Sequence, residues 1–214
     1  MPLALFDLDG TLVDQAAAAR DWAAEFATTW AIPATQIDAI AARLSERRPK
    51  GEVFADLVGE HSLATTADAV WREYRQRMPG LVRCAPADLD GLARLRGAGW
   101  TLGIVTNGEV DNQEGKIRST GLAEMIDGWV ISSEVGFRKP DPQIFRALAS
   151  KLGHALDGWM VGDGLEADIT GGTSSGLSTI LIAKSESLTG STAPTAIAPD
   201  VAAAVDLILD EARH

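Results

Sequence analysis

Short apolar runs separated by helical stretches constrain the fold of this chain more than any other feature. The runs are Pro2 to Phe6, Thr101 to Val105, Trp129 to Ile131, Trp159 to Val161 and Thr179 to Ile182. Helical spacing lies between the later ones, through Leu89, Leu92 and Leu95, around Asn112 to Ser119, and from Pro142 to Leu152. Strands alternating with helices predict parallel β-α-β crossovers. Between the first run and the other four, Ala16 to about Met78 has no strand run, and Trp22, Phe26 and Trp30 recur at helical spacing. The expected architecture is a doubly wound α/β domain, residues 1–14 and 81–214, interrupted by an all-helical insertion over 15–80. Ser185 to Pro199, with Ser, Thr, Gly and two prolines, reads as a surface loop before a last helix capped by Asp200.

In an open parallel sheet, ligands bind beyond the carboxyl ends of the strands, near the point where strand order reverses. Four polar clusters follow apolar runs there. Asp7 and Asp9 stand two apart in Phe6-Asp7-Leu8-Asp9-Gly10-Thr11. Thr106-Asn107-Gly108 supplies a hydroxyl, an amide and a glycine backbone, donors suited to phosphate oxygens. Arg138-Lys139-Pro140-Asp141-Pro142 uses prolines to stiffen the backbone around one lysine. Gly162-Asp163-Gly164-Leu165-Glu166-Ala167-Asp168 gathers three carboxylates that repel one another unless a cation sits among them. Any one of these alone is a common turn or a solvated charge; four together point to a site.

The last cluster also fits the dinucleotide fingerprint, Gly162-x-Gly164-x-x-Ala167. Asp163 would thrust a negative charge at a pyrophosphate, the motif comes late in the chain, and no acid near Ile182 is placed to hold a ribose. Carboxylate ligands without His or Cys favour Mg²⁺ over zinc or copper. Ser132 and Ser133 lack a nearby His/Asp pattern, so a serine-hydrolase triad has little support.

Composition narrows the partners. A net charge of −11 argues against nonspecific nucleic-acid binding and against an anionic membrane surface. No apolar run approaches the roughly 20 residues that span a bilayer. The single cysteine, Cys84, excludes an intrachain disulfide and suits a reducing compartment, so a cytoplasmic location is expected.

The four clusters, in this order, resemble the haloacid dehalogenase superfamily, whose pattern is Asp-x-Asp-Gly-Thr, a strand-end Thr or Ser, a Lys, then Gly-Asp with a further acid. The likeness runs from Leu3 to about Ile182 and includes Gln113-x-x-Lys116 before Gly121-Leu122, and Ser133-Glu134-Val135-Gly136-x-Arg138-Lys139-Pro140-Asp141-Pro142. Gly164 departs from it, standing where a polar residue is frequent. The resemblance implies a Rossmann-like core with the helical insertion as a cap over the active site. It further implies that Asp7 attacks phosphorus to form an aspartyl phosphate and that Asp9 protonates the leaving oxygen and later activates water. Mg²⁺ would be held by Asp7, the backbone carbonyl of Asp9, Asp163 and Asp168. Lys139, Thr106 and the Asn107 backbone would hold phosphoryl oxygens. Arg43, Arg47, Arg48 and Lys50 form the candidate group for an anionic substrate tail. The implied activity is a Mg²⁺-dependent phosphatase acting on a small phosphorylated metabolite. A phosphomutase shares every core residue, and a 2-haloacid dehalogenase needs neither the metal nor Asp9.

Overall fold

The computed structural model of the chain describes residues 2–46, 48–183 and 192–211. Six parallel strands form one sheet: β1 (Leu3–Phe6), β2 (Thr101–Thr106), β3 (Gly128–Ile131), β4 (Gly158–Gly162), β5 (Ser178–Ile182) and β6 (Ala196–Ala198), in the order β3-β2-β1-β4-β5-β6. Strand order therefore reverses beside β1, whose neighbours are β2 and β4. Phe6 pairs with Ile104 on one side and Val161 on the other, so Asp7, Thr106 and Asp163 all emerge at the same end of the sheet. Every residue of β1 and β2 is buried, as expected of strands covered on both faces.

The core helices follow from local sequence. Helix α5 (Pro86–Gly97) starts with a proline in its first turn, where a missing N–H costs nothing. Helix α6 spans Val110–Ser119, and a single turn, α7 (Ser132–Val135), follows β3. Helix α8 (Pro142–Leu152) is capped by Asp141, whose carboxylate accepts from the Gln143 N–H at 2.9 Å. Its Ile144, Phe145, Leu148 and Ala149 stripe packs with Leu3, Leu5, Val105, Val130 and Met160 in the core. A short helix, α9 (Gly171–Ser174), precedes β5. Asp200 caps α10 (Val201–Glu211), accepting from the Ala203 N–H at 2.8 Å.

The chain divides into two compact units, Met1–Val13 with Cys84–His214, and Asp14–Arg83. The second unit is helical: α1 (Gln15–Thr29), α2 (Ile37–Leu44), α3 (Lys50–Glu60) and α4 (Ala67–Arg77). Asp14 caps α1 through the Ala17 N–H at 2.9 Å, and Thr66 caps α4 through the Ala69 N–H at 3.2 Å. Its interior is aromatic. Trp22 stacks on Phe26 with centroids 4.7 Å apart and meets Phe54 and Tyr74 edge-on. Arg77 grips both carboxylate oxygens of Glu25, at 2.7 and 2.6 Å.

One expectation is corrected. The stretch read as loop contains strand β6, which pairs with β5 from Ile180↔Ala196 to Ile182↔Ala198. Thr179 and Thr195 lock it by exchanging hydrogen bonds between backbone N–H and side-chain oxygen. Three residues flanked by Pro194 and Pro199 carry too little local signal, and an edge position tolerates the prolines. Residues 184–191 of that stretch lie outside the described residues.

Candidate active site

The turn that follows β1 is built around one carbonyl. Leu8 C=O accepts from the N–H groups of Thr11, Leu12 and Val13 at 3.0–3.3 Å, while the Gly10 N–H donates to Val13 C=O at 3.0 Å. Gly10 has φ = 85°, and a Cβ there would lie 2.6 Å from Asp163 Oδ2. Glycine thus serves both the backbone conformation and the approach of an acidic side chain from β4. Asp7 extends β1 by one further rung, its N–H donating to Val161 C=O at 2.9 Å.

Lysine 139 joins the two ends of the cluster. Its Nζ donates to Asp7 Oδ1 and to Asp168 Oδ1, both at 2.6 Å, and all three residues are buried. The backbone that presents Lys139 is clamped by Asn107, whose Oδ1 accepts from the Lys139 N–H at 2.9 Å and whose Nδ2 donates to its carbonyl at 3.1 Å. Burial works against the charge on Lys139, but the carboxylates of Asp168 and Asp7 hold its pKa above the ordinary lysine value. Burial pushes Asp7 from 3.8 up to about 7; Lys139 opposes that shift and Asp168 adds to it.

Carboxylate oxygens of Asp7, Asp163 and Asp168 lie within 4.8 Å of one another. Asp168 arrives through a π-helical turn, Leu165–Thr170, and its Oδ2 accepts from the Gly164 N–H at 2.8 Å. A methyl built at Gly162 would overlap this carboxylate, so glycine makes room for it. Glu166, on the same turn, is exposed and outside the trio. A set of oxygen ligands this close, two of them buried, suits a hard divalent cation.

Asp9 is held separately. Lys116 Nζ donates to both of its oxygens, at 2.8 and 2.9 Å, and Gln113 Nε2 donates to Oδ2 at 3.1 Å. Gln113 also donates to Thr106 Oγ1 at 2.7 Å, which ties the second acid to the end of β2. Gly108 braces the start of α7, its N–H donating to Ser132 Oγ at 3.0 Å. The structure therefore brings Asp7, Asp163, Asp168 and Lys139 together, and joins Asp9 to Thr106 through Gln113. Asn107 and Gly108 engage Lys139 and Ser132 respectively.

Gln113 and Lys116 were visible in the sequence only as part of the family likeness. Their three-residue spacing places them on one helical face with Ile117, but a glutamine and a lysine there read as solvated, whereas both are buried. Three of the four basic residues proposed for a substrate tail have partners within the insertion. Arg43 pairs with Glu60 at 2.7 Å, Arg48 with Asp56, and Lys50 Nζ donates to the carbonyls of Leu44 and Glu46 at 2.5 and 3.0 Å. Arg47 lies outside the described residues.

Comparison with known proteins gives concordant findings. The model of the haloacid dehalogenase-like hydrolases matches residues 1–176. A glyceraldehyde 3-phosphate phosphatase of Methanothermobacter thermautotrophicus is 35% identical over 103 residues, 48% of this chain and 46% of that protein. A phosphoglycolate phosphatase of Mesorhizobium japonicum is 28% identical over 196 residues, 85% of this chain and 82% of that protein. The chain spans about half the length of several curated relatives it matches. Among solved structures, YfnB of Bacillus subtilis, crystallised with magnesium, superposes with a TM-score of 0.82 at 23% identity, covering 97% of this chain and 98% of that one. Among the described residues, no helix is long and apolar enough to cross a membrane.

Proposed function

The chain belongs to the haloacid dehalogenase-like hydrolase family, and from that premise we propose that it is a Mg²⁺-dependent phosphatase acting on a small phosphate monoester. The observation that carries this reading is the charge balance at the carboxyl end of the sheet. Among the described residues, Asp7, Asp9, Asp163 and Asp168 bring four carboxyl groups to this end, and the ammonium groups of Lys116 and Lys139 pair with Asp9, Asp7 and Asp168. With all six ionised, one divalent cation neutralises the cluster. Asp7, Asp163 and Asp168, with the Asp9 backbone carbonyl, would hold Mg²⁺, and the magnesium bound to YfnB supports that choice. When bound, the ion would neutralise charge on the phosphoryl oxygens and orient the group for in-line displacement.

The chain's own residues supply the remaining steps. One Asp7 oxygen attacks phosphorus while Lys139 holds the other, and the phosphorus–oxygen bond to the leaving group breaks. Asp9, ionised in the free enzyme, takes up a proton as substrate binds and gives it to the departing oxygen, then takes one from the water that attacks the aspartyl phosphate; phosphate leaves and Asp7 is freed as a carboxylate. Lys139 and Thr106 meet the charge that develops on the transferring group. Carbon–halogen chemistry would not need the second acid, and here Asp9 is held by Gln113 and Lys116. Residues 1–13 with 84–214 act in this reading as the catalytic core and 14–83 as the cap.

Purified protein incubated with 4-nitrophenyl phosphate should release phosphate with Mg²⁺ and cease when the metal is chelated. Silence across a broad panel of phosphorylated metabolites would sink the reading. Asp7→Asn should abolish turnover with an unchanged circular dichroism spectrum, and retained activity would refute the assigned nucleophile.

A further inference from the structure

The geometry points to Gln113 and Lys116 as positioning residues that set Asp9 and Thr106 for catalysis, an inference that rests on the phosphatase reading above. Both residues are 1% exposed, and their side chains donate to Asp9 and Thr106. A buried lysine is costly unless paired. Here the ammonium meets Asp9 through two hydrogen bonds and fixes the plane of the carboxylate.

Gln113 makes the arrangement directional. A primary amide nitrogen carries two hydrogens; one goes to Asp9 Oδ2 and the other to Thr106 Oγ1. The reverse orientation would set the amide oxygen against the Asp9 carboxylate, so the network fixes the assignment. Because Thr106 Oγ1 accepts from Gln113, its own proton is directed elsewhere, toward whatever acceptor occupies the site at the end of β2. Helix α6 thereby couples the proton-transfer residue and the strand-end hydroxyl through one turn of buried polar side chains.

The two esters phenyl phosphate and 4-nitrophenyl phosphate test this. Nitrophenolate leaves without a proton, whereas phenolate needs one from Asp9, and kcat/KM reports only the steps through departure of the leaving group. In Lys116→Met, kcat/KM should fall about 100-fold for phenyl phosphate, in the range of general-acid contributions, and less than about 5-fold for 4-nitrophenyl phosphate. Lys116→Arg should recover most of the loss. Gln113→Leu, which keeps the ion pair, should show the same contrast on a smaller scale and carries the test if Lys116→Met does not fold. Adding Lys116→Met to Asp9→Asn should cost nothing further, because the two act as one unit. Equal losses for both esters, or none, in an active wild-type background would overturn the positioning role alone. A wild type inactive on every phosphate ester would overturn the phosphatase reading and this role with it.

Discussion

At Asp7, burial and function pull in opposite directions. Its pKa is 3.8 in an ordinary setting and about 7 in the fold, with burial as the main cause. Between those values the folded chain binds more protons than the unfolded one, so stability falls as the pH rises through that window. A divalent cation favours the carboxylate and reverses the penalty. We therefore expect the melting temperature of metal-free protein, relative to Asp7→Asn, to decline from about pH 5 to about pH 8. Mg²⁺ should raise it more at the upper end. A wild type and an Asn variant that track each other across this range would remove the argument. The residues of this site were unevenly legible. Asp7 and Asp163 announce themselves because each closes an apolar run, where solvated charge is out of place, and Lys139 because prolines stiffen the backbone beside it. Asp168 required a π-helical turn to face inward, and nothing in Leu165-Glu166-Ala167 distinguished it from Glu166 before the turn was known. Gln113 and Lys116 were hidden for the opposite reason, since polar residues on a polar helix look exposed.

Elements were legible where periodicity and caps agreed. Helix α8 has a proline start, an aspartate cap, an apolar stripe and a terminal glycine, and it runs over Pro142–Leu152 as the spacing predicts. Strand β6 lacks every such mark and exists because β5 offers an unpaired edge. The basic side chains at the end of α2 and the start of α3 illustrate a further limit. Their charges suggested an anion site, but the acids that pair with them lie further along the chain, Glu60 17 residues after Arg43 and Asp56 8 residues after Arg48, and meet them only once the helical unit is folded. Arg43→Ala and Arg48→Ala should therefore change kcat/KM for small phosphate esters less than about 2-fold, because each guanidinium already pairs with an acid of its own unit. A loss of 10-fold or more at either position, measured by steady-state kinetics, would restore them to the substrate site.

The whole molecule is two independently packed units with different interiors, one a parallel sheet lined by aliphatic side chains and the other a cluster of aromatic rings. The net charge of −11 argues against nonspecific nucleic-acid binding and an anionic membrane surface, and the lack of strand runs marked the insertion in the sequence, with expected limits of 15–80 beside the observed unit Asp14–Arg83. Trp22, Phe54 and Tyr74 share that cluster, so Phe54→Ala should destabilise the helical unit by about 3–5 kcal/mol, the cost of removing a buried aromatic ring. Hydrogen exchange should register the loss in α1, α3 and α4 and leave the amides of β1 and β2 as protected as before. Uniform loss of protection would mean that the two units unfold as one. Strand order carries a consequence in time. β1 sits at the middle of the sheet, but its partner residues on β4 are about 155 positions later in the chain. At ribosomal speeds of roughly 5–20 residues per second, the strand bearing Asp7 waits about 8–30 s for its second neighbour. The nascent chain thus carries Asp7 without its β4 neighbour while the four helices of the insertion, with their short-range contacts, are free to form first.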